Sequence, residues 1–101
     1  MAVIQSHIDK NSEQYRSNHD YMVGLVSELG DRLDSVRQGG GPDAIARHRS
    51  RGKMLARERV ERLLDPATPF LEFSALAAWD MYSNEAPAAG MISGIGVVNG
   101  Q

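Results

Sequence analysis

Seven basic side chains crowd into one short stretch of the sequence. Arg47, Arg49, Arg51, Lys53, Arg57, Arg59 and Arg62 are opposed there only by Glu58 and Glu61, a local charge of +5. Such a segment is suited to meeting phosphate or carboxylate. The competing reading is a solvated helix face stitched by i,i+4 pairs, Arg57 with Glu61 and Glu58 with Arg62. Arg47, Arg51 and Lys53 are the bases least consumed by such pairs. They flank a helix break at Gly52, where free backbone amides would add donors for an anion. These three are therefore the candidate anion-binding residues. Arg57, Arg59 and Arg62 are expected to pair with Glu58, Glu61 or Asp65, or to pack at a subunit contact.

Other chemistry finds no support in residue types and spacing. His7, His19 and His48 share no metal-ligand spacing, so no metal site is expected in this segment. Gly90, Gly94 and Gly96 do not make a dinucleotide fingerprint, and no phosphate-loop lysine follows them. Ser74, Ser83 and Ser93 lack a nucleophile-elbow context. Asp80 and Glu85, five apart, read as solvated carboxylates. With no cysteine, thiolate ligands, disulfides and a cysteine nucleophile are all excluded. No catalytic residue is nominated.

Composition narrows the class further. The net charge of −2 argues against an overall basic nucleic-acid binder, and the basic segment lacks interleaved stacking aromatics. No apolar run approaches the roughly 20 residues of a membrane span. The first nine residues show no basic region leading into an apolar core, so they do not read as a secretory signal, and the expected compartment is a bacterial cytoplasm. Hydrophobic content of 42% is ordinary for a globular chain.

Several elements must position these residues. A first helix is expected from about Ser12 to Gln38, opened by an Asn11–Gln14 capping box. Tyr15, His19, Met22, Val26, Leu29, Leu33 and Val36 recur at alternating spacings of four and three, one apolar seam that predicts packing against another part of a larger assembly. His19, inside that seam, is expected to be a packing residue. Gly39-Gly40-Gly41 stops the helix. A second helix opens at Pro42 and stops near Gly52, and a third covers Ala56–Leu64, ended by Asp65-Pro66. Phe70–Phe73 is strand-like. The stretch from Ser74 to Ala89 is irregular, and residues 88–98 are of β type. The strand Gly94–Val98 runs into Asn99-Gly100, a hairpin-turn pair. A strand and turn with no return partner predict that the chain is the front of a larger mixed α/β domain whose sheet lies mostly beyond Gln101.

Three stretches taken together resemble one family. Arg47-His48-Arg49-Ser50-Arg51-Gly52-Lys53-Met54-Leu55-Ala56-Arg57-Glu58-Arg59 continues into Val60-Glu61-Arg62-Leu63-Leu64-Asp65-Pro66. Pro69-Phe70-Leu71-Glu72 and Tyr82-Ser83-Asn84-Glu85-Ala86-Pro87-Ala88-Ala89-Gly90 follow. The string is similar to the opening of the carboxyltransferase (β) subunit of biotin-dependent acyl-CoA carboxylases. Val3-Ile4-Gln5-Ser6 and the seam helix resemble the methylcrotonyl-CoA branch most.

The resemblance implies an α/β fold: N-terminal helices plus the first strands of a crotonase-like (ClpP/crotonase) domain, truncated. Residues 1–41 would be an N-terminal helical segment and 42–101 the incomplete beginning of the carboxyltransferase domain. The implied reaction moves a carboxyl group from carboxybiotin to an acyl-CoA, 3-methylcrotonyl-CoA in leucine breakdown, with propionyl- and geranyl-CoA as alternatives. Biotin would ride on a partner biotin carboxylase/biotin carrier (α) subunit, and the β subunits would form a homo-oligomer. The family's oxyanion-stabilising loops would lie downstream of Gln101, so the segment alone is expected to be inactive. Arg47, Arg51 and Lys53 would then meet the phosphates of coenzyme A. Two departures stand out. Leu55 replaces a threonine that would cap the third helix, and Ser83-Asn84-Glu85 replaces a more usual Gly-Asp-Glu or Gly-Asp-Asp. A helical interaction module built on the Tyr15–Val36 seam is the alternative of another class.

Overall fold

A computed structural model describes residues 2–101. Its elements are α1 (Glu13–Arg37), α2 (Pro42–Ser50), α3 (Ala56–Leu63), β1 (Leu71–Phe73), a 3-10 segment (Tyr82–Asn84) and β2 (Ser93–Ile95). Packing divides the chain into two units, one ending at Asp31 and one beginning at Arg32, so the division falls inside α1.

The first unit holds most of α1 and the residues before it. The helix is capped by Ser12, one residue later than the predicted Asn11–Gln14 box. Ser12 Oγ accepts the Tyr15 N–H at 3.1 Å and donates to the Asp9 carbonyl at 2.8 Å. Asn11 instead donates its own N–H to Asp9 Oδ1 at 2.9 Å, an Asx turn that leads into the cap. His19 departs from its expected packing role. It stacks on Tyr15 with ring centroids 6.0 Å apart, yet its side chain stays exposed. The seam around it is open too: Met22 is 54% and Val26 64% exposed. Among the described residues, this unit contains no second helix or strand to cover that face, and an apolar stripe is buried only by an opposing layer.

The second unit begins with the last turns of α1. Leu33 is half-buried and Val36 is 4% exposed, so the seam does pack at this end. Gly39, at φ 66°, ends the helix in the left-handed conformation, its N–H bonded to the Val36 carbonyl at 3.1 Å. α2 follows after only four residues, with Pro42 in its first turn. Ala78 and Pro87 are buried with Val36, and the Ala78 N–H donates to the Pro87 carbonyl at 2.9 Å. Arg32 lies over the Trp79 ring, 5.0 Å from its centroid, and ties the end of α1 to the irregular stretch.

The strand leading toward Asn99-Gly100 is shorter than expected, Ser93–Ile95 instead of Gly94–Val98, and it pairs antiparallel with the upstream β1, Leu71 opposite Ile95, Glu72 opposite Gly94 and Phe73 opposite Ser93. Gly94 is required by this pairing. A Cβ there would meet the Leu71 carbonyl and sit 2.6 Å from Phe70 Cζ. The turn itself forms as expected. Val98 and Gln101 exchange N–H···O bonds of 2.8 and 3.2 Å, with Asn99 at φ 52° and Gly100 at φ 78°. Helices followed by a small sheet give the mixed α/β architecture anticipated from sequence.

Left-handed residues explain the irregular stretch. Tyr82, Ser83 and Asn84 all have positive φ, and Asn84 Oδ1 holds the turn by accepting the Asp80 N–H at 3.0 Å. Ser83, which the resemblance set against a more usual glycine, lies at φ 55°. Ala67, at φ 61°, is the third residue of the Asp65–Thr68 turn, a place that also favours glycine. A left-handed side chain costs about 1–2 kcal/mol, partly offset by the greater freedom glycine has when unfolded. Ser83→Gly and Ala67→Gly should therefore each stabilise the protein by about 0.5–1 kcal/mol. Urea unfolding with an unchanged m-value measures this, and a loss of stability in both variants contradicts the backbone assignment.

Candidate anion-binding site

The basic segment is divided by its partners into two sets. Arg49 and Arg57 form ion pairs, whereas Arg47, Arg51, Lys53, Arg59 and Arg62 form none among the described residues, so the pairing expected of Arg59 and Arg62 is not made. Arg57 on α3 reaches β1, where it forms a fork on Glu72: Nη1 to Oε2 at 3.0 Å and Nη2 to Oε1 at 2.8 Å. Both side chains are partly buried, 26% and 19% exposed. Arg49, from α2, donates to Glu58 on α3. The Arg57–Glu61 pair is thus replaced by a pair between elements, and Glu58 takes Arg49 as its hydrogen-bonded partner while Arg62 acts on it through charge alone. Glu61 and Arg62 sit on a solvated helix surface, whereas Glu72 offers Arg57 a fork in a partly dry site; the Arg49–Glu58 pair is more exposed. Asp65 also departs from its expected role as an arginine partner, since its carboxylate accepts backbone amides.

Glu58 has a second task. Leu55 precedes α3 with an extended backbone and no side-chain acceptor, so the usual cap is missing, as the leucine at this position predicts. Glu58 Oε2 accepts the Leu55 N–H at 2.9 Å, the return half of a capping box. That backbone bond, followed by the Arg49 hydrogen bond and charge, holds the Glu58 carboxyl below its usual range. Asp65 closes the other end of the helix, and its N–H donates to the Val97 carbonyl at 2.8 Å.

Arg47, Arg51 and Lys53 are the members of the second set that lie outside α3. All three are exposed, and their side chains make no hydrogen bond or ion pair among the described residues. They lie at the last turn of α2 and just past it. The amides expected to be free at Gly52 are not: the Gly52 N–H donates to the Arg49 carbonyl at 2.9 Å and the Arg51 N–H to His48 at 3.3 Å. Gly52, at φ 71°, is a helix C-cap, and capping consumes those donors. The helix dipole at this end also favours cations. Any anion here would be met by side chains, with no contribution from these two amides.

Beside α2 lies a cleft of about 290 Å³, lined among others by Val36, Ala44, Ile45, His48, Leu55 and Ile92. His48 fixes one wall. Its Nε2 lies 2.9 Å from the Met54 carbonyl, which only accepts, so Nε2 carries the proton. The lining is mainly apolar, and Arg37 and Arg57 reach its margin. Sequence reasoning placed the cations but missed Glu72 and Asp65 as anchors. The signal was available: beyond Leu63 there are four acids and no base, so the acids there have cations only upstream.

Two outcomes follow. Arg57→Lys keeps the charge but cannot fork, and it should cost about 1–2 kcal/mol in urea unfolding. A cost indistinguishable from zero would assign the pair no stabilising role. The lowered Glu58 carboxyl favours the folded state above its ordinary value of 4.5, and that contribution is lost as pH falls through the lower folded value. Glu58→Gln should remove this part of the acid-side fall in Tm, read from melting curves across the acid range. An identical acid limb in the variant would contradict it.

Residues 47–101 match the carboxyl transferase domain family, described as "Carboxyl transferase domain". The chain is 44% identical over 101 residues to the mitochondrial methylcrotonoyl-CoA carboxylase beta chain of Arabidopsis thaliana, covering 100% of this chain and 17% of that one. It is 56% identical over 77 residues to the biotin-dependent 3-methylcrotonyl-coenzyme A carboxylase beta1 subunit of Mycobacterium tuberculosis, covering 76% of this chain and 15% of that one. The crystal structure of the P. aeruginosa geranyl-CoA carboxylase beta subunit superposes with a TM-score of 0.79 at 34% identity, over 98% of this chain and 18% of that one. The sequence therefore spans less than a fifth of these relatives. With its basic helix pair, its short sheet and this match over residues 47–101, the chain belongs to the carboxyl transferase domain family.

Proposed function

We propose that this chain is part of a carboxyltransferase (β) subunit that moves a carboxyl group from carboxybiotin to an acyl-CoA. The substrate proposed is 3-methylcrotonyl-CoA, which the names of the Arabidopsis and Mycobacterium relatives support. Geranyl-CoA and propionyl-CoA are the alternatives. Carboxybiotin enters as a substrate carried by a partner α subunit, and the β subunits assemble with one another. Within this reading, residues 1–41 form a helical segment and residues 42–101 begin the carboxyltransferase domain. The exposed face of α1 at Met22, Val26 and Leu29 packs within the assembled enzyme. The 101 residues contribute binding and support, and by themselves they do not turn over substrate.

The observation that carries the reading is the set of exposed, unpaired cations Arg47, Arg51 and Lys53 inside the matched family region. Coenzyme A presents a 3′-phosphate and a diphosphate, and a carboxyltransferase acting on its thioesters must meet that charge. Arg57 and Arg49 are spent on Glu72 and Glu58, and of the bases left over, Arg47, Arg51 and Lys53 cluster at the end of α2 and just past it. A charge-assisted phosphate contact at an exposed site contributes about 1–3 kcal/mol. Replacing Arg47, Arg51 and Lys53 singly by alanine in the full-length enzyme should raise KM for acyl-CoA roughly 5- to 150-fold, with kcat little changed when the contact is uniform. Wild-type KM in all three variants, with assembly intact, would assign the cluster to the C-terminal dipole of α2 instead.

A further inference from the structure

We propose that Asp65 is a positioning residue, whose carboxylate orients the Val98–Gln101 turn and thereby aims the chain that leaves it in the longer subunit. Oδ1 accepts the Asn99 N–H at 2.7 Å and Oδ2 accepts the Gly100 N–H at 2.8 Å. Both donors come from consecutive left-handed residues, so their N–H groups converge on one point. Such a pair of amides is an anion-binding concavity, and here the anion is built into the chain. No other residue type fits as well. A carboxylate offers two equivalent acceptors, while an asparagine would turn an NH2 toward one of the donors.

The carboxylate is itself held in place. The Asp65 N–H donates to the Val97 carbonyl at 2.8 Å, so three hydrogen bonds join residue 65 to residues 97–100. The Asp65 carbonyl accepts the Thr68 hydroxyl at 2.6 Å and the Thr68 N–H at 3.3 Å. On α3, at the end opposite Asp65, Arg57 grips β1 through Glu72. Both ends of α3 are thus bound to the sheet, one through β1 and one through the turn after β2. The basic helix and the hairpin turn are joined at two points, and through them α3 sets the direction of the departing chain.

The functional part of this inference rests on the carboxyltransferase reading, and the test separates the two. In the full-length subunit, amide hydrogen exchange is followed at Asn99 and Gly100, and carboxyl transfer is measured alongside. Asp65→Asn and Asp65→Ala should accelerate exchange at the turn on the order of tenfold or more, with the α3 amides unchanged. Formate added to D65A should restore protection at the turn by refilling the concavity, which a merely structural role for Asp65 does not predict. Carboxyl transfer should show a lowered kcat at unchanged KM for acyl-CoA. Wild-type protection in both variants overturns the clamp. Faster exchange with unaltered kcat overturns its role in positioning. A wild-type subunit that fails to transfer carboxyl groups overturns the functional reading alone, and the exchange data then decide the clamp.

Discussion

The Arg57–Glu72 fork is the interaction on which the second unit depends. Two strands of three residues each do not hold together in water unless something packs against them or ties them down. Here a guanidinium from α3 crosses to the middle residue of β1 and makes two parallel hydrogen bonds in a partly dry site. Glu72 stands opposite Gly94, and the fork therefore acts at the centre of the strand pair. The absence of a side chain at Gly94 lets Phe70 and the Leu71 carbonyl close over the same place.

From that fork the charge distribution becomes intelligible. The chain separates its charges along the sequence, bases in residues 47–62 and only acids afterwards. Folding brings one of those late acids, Glu72, back to Arg57 on α3, and brings the Asn99–Gly100 turn to another, Asp65, just past the helix end. Glu58 faces the other way, toward Arg49 of α2, and repairs the missing cap at Leu55. Three helix and strand elements are thereby joined by carboxylates more than by a deep apolar core, which here amounts to Val36, Ala78 and Pro87. Among the described residues, Arg47, Arg51 and Lys53 remain without an ion pair, as do Arg59 and Arg62 on α3, although Arg62 still acts on Glu58 through its charge.

The two halves of α1 show the same economy. At its C-terminal end the seam is buried at Val36 and flanked by the Arg32–Trp79 contact. Toward its N-terminus the identical spacing leaves Met22, Val26 and Leu29 exposed. Periodicity reports which face of a helix is apolar, and it says nothing about whether a partner is present in the same stretch of chain.

Local rules made much of this fold legible in sequence. Helix ends followed from Pro42, Gly39 and Asp65-Pro66, because proline and glycine act through their own backbone geometry. The Asn99-Gly100 turn followed for the same reason, and the missing cap at Leu55 from its lack of a side-chain acceptor. The candidate cations were visible as a charge run. Only tertiary structure decided which of them are free. Helical i,i+4 rules offered Arg57 to Glu61, but Glu72, fifteen residues away, supplies a fork that a solvated helix surface does not. The same holds for Asp65, whose amide partners lie 34 and 35 residues on. Hydrogen-bond geometry between distant segments depends on where the fold places them, and spacing along the chain carries no record of that distance.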